Sequence, residues 1–146
     1  MDGTAWSAGA GNAPGEFVRI LVADDQEGVR KRVIATLTSR NGFEVCGEAS
    51  TGKEAVELAQ ELKPDLIVLD ITMPEMNGLD AARHIRAFAP DTLILILSVH
   101  KSRQLMEEAR KVGVRGYVTK GEAVQKLVQA VDAILQDRSF FPEDLE

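Results

Sequence analysis

The most informative feature of the chain is where polar residues interrupt it and where they do not. Leu66-Ile67-Val68-Leu69 is apolar without alternation and stops at Asp70; Leu93-Ile94-Leu95-Ile96-Leu97 stops at Ser98; Ile20-Leu21-Val22-Ala23 stops at Asp24-Asp25. Unbroken apolar runs of this length suit strands covered on both faces, as in a parallel sheet. The pattern predicts strands over 17–23, 43–49, 65–69, 92–97 and 115–118. Between them the period lengthens to that of a helix. Val29, Val33, Ile34 and Leu37 share one face of a helix over 26–40. Ser50-Thr51 followed by Glu54 resembles a capping box that opens a second helix, and Pro64 closes it after Leu62. Further helices are expected over 79–88, stopped by Pro90, over 102–112, stopped by Gly113, and over 122–138. The last has Val124, Leu127, Val128, Val131, Ile134 and Leu135 on one broad face, and Ser139 to Glu146 breaks its pattern.

Strand and helix alternate five times, which calls for an α/β fold: a five-stranded parallel sheet with helices on both faces. The common order for such a sheet is 2-1-3-4-5, the flavodoxin-like arrangement. The expected organisation is a disordered leader over 1–16, where Gly, Ala, Ser and Asn surround a single Trp6; one domain over 17–138; and a tail or start of a linker over 139–146.

Composition narrows the function more than the fold. The 146 residues carry a net charge of −6 and a pI near 5.0, so clustered-cation binding to nucleic acid is not expected of this domain. Arg30-Lys31-Arg32 is read as a solvated helix face. No apolar run approaches the ~18 residues of a membrane span, and no basic-then-apolar signal segment opens the chain. Cys46, the single cysteine, lies in a strand pattern and is read as a small core hydrophobe. A cytoplasmic setting follows from these features.

The candidate chemistry sits at the strand ends. In a parallel sheet all C-terminal ends share one edge, and in the order 2-1-3-4-5 the switch point falls between the first and third strands. Asp24, Asp25 and Asp70 then meet, with Ser98 and Lys120 to one side. At ~4 Å and an effective dielectric of ~20, each carboxylate pair is repulsive by about 4 kcal/mol. Proton uptake or a bound cation would relieve this. Hard oxygen donors without His or Cys suit Mg2+. Metal, ammonium and hydroxyl around a carboxylate would suit a phosphoryl group on Asp70.

The motifs Ile-Leu-Val-Ala-Asp-Asp, Leu-Asp-Ile-Thr-Met-Pro-Glu-Met-Asn-Gly, Leu-Ser and Gly-Tyr-Val-Thr-Lys resemble those of response-regulator receiver domains of two-component signalling, over about residues 17–138. Val-Ala-Asp-Asp, Leu-Ser-Val-His and Gly-Tyr-Val-Thr-Lys-Gly are most similar to receivers that precede a LuxR/NarL-type helix-turn-helix domain. The resemblance implies a phosphorylation-activated switch, a phosphoacceptor regulatory domain rather than an enzyme. Asp70 would accept phosphoryl from a sensor histidine kinase or a phosphotransfer protein. Asp25, Asp70 and the backbone carbonyl of Thr72 would ligate Mg2+, with Asp24 helping through water. Lys120 and Ser98 would contact the phosphoryl group, and Tyr117 would be the switch aromatic whose ring moves inward as Ser98 moves. Thr72 and His100 stand where they would set the dephosphorylation rate. Output is expected through a face built from the fourth helix, fifth strand and fifth helix, with homodimerisation there. It would be transcriptional if a helix-turn-helix domain follows, and that of a stand-alone receiver otherwise.

Two departures from the family stand beside the site. Gly121 follows Lys120 where the family often has a proline, so the preceding peptide bond is expected to be trans. Val99 follows Ser98 where the family often has Ala or Gly. Three other readings are weaker. A binding-only receiver would lack site residues, and none is lacking. A phosphohydrolase of the haloacid-dehalogenase type wants an Asp where Thr72 stands. A nucleotide or flavin binder would not open its phosphate loop with Asp24-Asp25.

Overall fold

The apolar runs form one five-stranded parallel sheet in the order β2-β1-β3-β4-β5. In the computed structural model, which describes residues 17–142, the elements are β1 (Val18–Ala23), α1 (Glu27–Thr38), β2 (Phe43–Ala49), α2 (Gly52–Leu62), β3 (Leu66–Asp70), α3 (Gly78–Phe88), β4 (Leu93–Ser98), α4 (Arg103–Val112), β5 (Gly116–Thr119) and α5 (Ala123–Leu135), with a 3-10 turn over Lys120–Glu122. The expected leader, with Trp6, lies outside the described residues.

Missing polar alternation has a direct cause. Leu21, Ala23, Ile67, Leu69, Ile94 and Ile96 pack under α2, α3 and α4. Their neighbours in sequence, Ile20, Val22, Leu66, Val68, Leu95 and Leu97, pack under α1 and α5. Each strand therefore buries both of its faces, and every one of these residues is fully buried. Full burial of one such aliphatic side chain contributes about 1.5–3 kcal/mol.

Helix ends follow the local chemistry. Thr51 Oγ1 accepts the N–H of Glu54, while Glu54 Oε1 accepts the N–H of Ser50, a variant of the capping box whose return bond falls one residue before the Thr51 cap. Ser102 Oγ accepts the N–H of Leu105, and Gly113 closes α4 with φ +102°, a conformation that favours glycine. Lys63, at φ +51°, ends α2 just before Pro64. No cis peptide bond occurs among the described residues, so Lys120–Gly121 is trans as expected. None of their helices is long and apolar enough to cross a membrane.

Four expectations change. First, α5 stops at Leu135 rather than Arg138; Asp137 takes φ +66°, and the chain doubles back. Its tail is not patternless in space: Phe140 forms a parallel bridge with Gly116, and Phe141 is buried. Second, Val124 is 59% exposed, because Ala123 and Leu127 take the inward positions in the first turn. Third, Cys46 is half-buried and not in the core. The register steps from Ile20–Val45 to Leu21–Gly47, leaving Cys46 as the extra residue of a bulge. Burial still pushes its thiol pKa up, which disfavours the reactive thiolate. Fourth, Arg30 is not on a solvated face. Its side chain is 15% exposed and pinned at both ends, by Asp24 O at 2.8 Å and Glu48 Oε1 at 2.8 Å.

Candidate functional site

Strand register brings the polar ends together. Ala23 pairs with Leu69, so the next residues, Asp24 and Asp70, stand side by side at the sheet's C-terminal edge. Asp70 pairs with Leu97 and Ser98 with Thr119, which sets Ser98 and Lys120 on the far side of Asp70. Asp24, Asp25 and Asp70 can each offer a carboxylate oxygen within 4.8 Å of the others. Asp24 and Asp70 are buried, at 0% and 2% exposure, while Asp25 faces solvent.

The loop after β3 is shaped by close approach. Gly78 donates its N–H to Ile71 O at 2.9 Å, and a Cβ there would lie 2.3 Å from the carbonyl oxygen of Asp70. On the other side Gly52 opens α2 so near that a Cβ would lie 1.8 Å from Met76 O. Only glycine fits either place. Asn77 then caps α3 through the N–H of Asp80 at 2.8 Å. The loop is thus held at both flanks, and Thr72 N–H reaches Asp70 Oδ1 at 3.2 Å. In the loop after β1, Asp24 Oδ1 accepts the N–H of Gln26 at 2.9 Å, and Arg30 grips the Asp24 carbonyl.

Lys120 lies between the two buried acids. Its Nζ is 3.0 Å from Asp24 Oδ2 and 3.2 Å from Asp70 Oδ2. Among the described residues the ammonium is the single polar contact shown for either Oδ2, so both buried oxygens keep acceptor capacity beyond it. Burial, followed by the charge of Asp24, raises the Asp70 pKa from 3.8 to about 6, against the opposing pull of Lys120 and the Thr72 N–H. Burial works to lower the pKa of Lys120, yet the two carboxylates outweigh it and hold the ammonium above its ordinary value. Two buried, under-satisfied carboxylate oxygens beside an exposed third acid are what a hard divalent cation needs.

Beyond Lys120 the site continues as a chain of hydrogen bonds. Ser98 is fully buried, and its Oγ accepts the backbone N–H of His100 at 3.1 Å. Tyr117 is also fully buried, and its hydroxyl donates to the His100 carbonyl at 2.8 Å. Burial pushes the phenol pKa up, with Ser98 acting in the opposite direction as a hydrogen-bonding neighbour. The ring expected to move inward is therefore already inward. His100 and Thr72 are exposed at the ends of their strands' loops. What sequence reasoning missed is the support: Arg30 under Asp24, and Phe141 against Tyr117. The paired phenylalanines in an otherwise polar tail were the available signal for the second.

Comparison with known proteins places this geometry. Residues 20–132 match the model of the response regulator receiver domain. The chain is 37% identical over 116 residues to chemotaxis protein CheY of Thermotoga maritima, covering 80% of this chain and 96% of that one. It is 31% identical over 124 residues to response regulator GacA of Pseudomonas aeruginosa, covering 85% of this chain but 58% of GacA. A solved two-component response regulator of the LuxR family from Aurantimonas superposes with a TM-score of 0.84 at 36% identity, over 89% of this chain and 93% of that chain.

Proposed function

The chain belongs to the response regulator receiver domain family, whose general function is a phosphorylation-driven switch, and on that premise we propose that Asp70 is the phosphoacceptor. The observation that carries this reading is the position of Asp70. It is a buried carboxylate at a strand end, 3.2 Å from an ammonium and within 4.8 Å of two further acids. A carboxylate oxygen of Asp70 attacks the phosphorus of a phosphohistidine; the new P–O bond forms as the P–N bond breaks, and the imidazole leaves. Its donor is a sensor histidine kinase or phosphotransfer protein in the cytoplasm.

The unmet oxygens of Asp24 and Asp70 and the all-oxygen donor set fit Mg2+. Asp25, Asp70 and the Thr72 carbonyl would hold it, with Asp24 through water. When bound, the ion offsets negative charge on the transferring oxygens. Lys120 turns its ammonium from the carboxylates to the phosphoryl group. Ser98 exchanges the His100 N–H for a phosphoryl oxygen, and the inward Tyr117 follows that hydroxyl. Thr72 and His100, at the mouth, govern access of the water that removes the phosphoryl group.

Output runs through the face of α4, β5 and α5, with a homodimer as the phosphorylated form. The chain spans 58% of GacA and 96% of CheY, so the proposed output is transcriptional where a helix-turn-helix domain follows and that of a stand-alone receiver otherwise. Incubation with a small phosphodonor and Mg2+ tests the core of the reading. One acid-stable, base-labile phosphoryl adduct is expected by intact mass, absent from Asp70→Asn. No adduct, or the same adduct in Asp70→Asn, would overturn it.

A further inference from the structure

The outer edge of β5 is closed by the chain's own tail. A last strand exposes a row of unpaired backbone groups. Here Phe140 donates its N–H to Arg115 O at 2.9 Å and accepts the Tyr117 N–H at 2.8 Å. The next residue turns its ring inward: Phe141 is 9% exposed, its centroid 6.3 Å from that of Tyr117 and the planes 25° apart. From α4, the Arg110 guanidinium lies over the other ring, 4.0 Å from the Phe141 centroid. The segment therefore holds β5 by its backbone, and Tyr117 and α4 by one side chain.

These contacts are made to one position of Tyr117. Phe141 stacks on the ring with the phenol pointing inward and its hydroxyl on the His100 carbonyl. The ring has somewhere else to go, because a cavity of about 300 Å³ borders Tyr117 between the tail and Lys101, Glu122 and Lys126. A segment that binds one of two side-chain positions shifts the balance towards it.

We infer that residues 140–142 are an intrachain ligand of the switch: their docking on β5 and α4, and phosphorylation of Asp70, favour one another. This rests on the reading of Asp70, Ser98 and Tyr117 proposed above. The inward phenol is the shared element: Phe141 stacks on its ring from outside, and its hydroxyl holds the carbonyl of His100, the residue whose N–H Ser98 accepts and would release to a phosphoryl oxygen. Linkage then makes the effect reciprocal. The chain beyond residue 142 is thereby tied to the state of Asp70 through residues 140–142.

The test titrates the full chain with beryllofluoride in saturating Mg2+, as a phosphoryl mimic, and follows amide resonances and hydrogen exchange. Native protein should bind the mimic and, on binding, slow exchange of the Tyr117 N–H, which Phe140 accepts. Phe141→Ala should weaken mimic binding by about fivefold, and the exposed Arg110→Gln should weaken it in the same direction by less. Mg2+ affinity without beryllofluoride should not change in either variant, whereas a general loss of structure would lower it too. Phe141→Tyr should restore native affinity. Equal beryllofluoride affinity in native protein, Phe141→Ala and Arg110→Gln would overturn the inference and leave the phosphoacceptor reading standing. No binding by native protein would overturn both.

Discussion

Lys120 is drawn closer to Asp24 than to Asp70, at 3.0 Å against 3.2 Å, so the ammonium compensates the neighbouring acid at least as well as the proposed phosphoacceptor. Removing it leaves two buried charges facing each other. Lys120→Met should destabilise the metal-free protein by about 3 kcal/mol, the usual cost of breaking a buried pair on one side. Added Mg2+ should recover much of that loss. Urea midpoints in EDTA and in Mg2+ check this; equal destabilisation in both would show that the lysine's role is packing.

The pKa of Asp70 gives a second prediction. Its folded value, about 6, lies above the ordinary 3.8, so between those values the folded protein keeps a proton that the unfolded chain has lost. Stability then falls as pH rises through this window. Other carboxylates contribute slopes of their own, so the informative quantity is a difference. Asp70→Asn should be more stable than native protein at pH 7 in EDTA by about 1–3 kcal/mol, and the gap should close towards pH 4. A gap independent of pH between 4 and 7 would contradict the raised value.

Tyr117 offers a third. Tyr117→Phe keeps the stacked ring but leaves the His100 carbonyl without its donor, at a cost of about 1 kcal/mol. Faster amide exchange is expected through the loop from Val99 to Ser102, with β1 to β3 unaffected. Uniform loosening across the sheet would mean that the hydroxyl is not what holds that loop.

Much of the fold was legible because burial on both faces writes itself into β1, β3 and β4 as apolar runs. The adjacency of β1 and β3 followed from one assumed strand order, whereas the register that pairs Ala23 with Leu69 did not. The tail was not legible, since two phenylalanines after a helix carry no period, and only the free edge of β5 explains them. Arg30 is hidden for a related reason. Arg30, Lys31 and Arg32 share a charge but not a direction on their helix, and it is Arg30 that reaches the Asp24 carbonyl.

Exposure at the crevice yields a fourth prediction. Thr72 and His100 face solvent, so substitutions there should leave stability within about 0.5 kcal/mol. The aspartyl-phosphate half-life of Asp70 should change by several-fold if they govern water access. Decay of the radiolabelled adduct in Thr72→Ala and His100→Ala measures it, and unchanged half-lives in both would remove them from the reaction.

Support from below the site yields a fifth. Arg30→Gln cuts the bond to the Asp24 carbonyl without touching a carboxylate of the cluster. Mg2+ affinity should fall by roughly tenfold, as expected when a residue that orients ligands is lost. Arg30→Lys should restore it only in part. Affinity unchanged in Arg30→Gln would leave Arg30 with a purely structural role.

The sheet order also has a consequence for synthesis. The β3 strand sits at its centre between β1 and β4, so the acids of β1 and β3 are brought together by chain made before Lys120 exists. A nascent domain exposed only as far as Ser98 lacks α4, β5 and α5 as well as the ammonium that faces the two acids. Domains fold as units during synthesis, and incomplete ones expose aggregation-prone strands. The crevice between the two buried acids is therefore completed only by the last strand of the sheet, which carries Lys120 at its end.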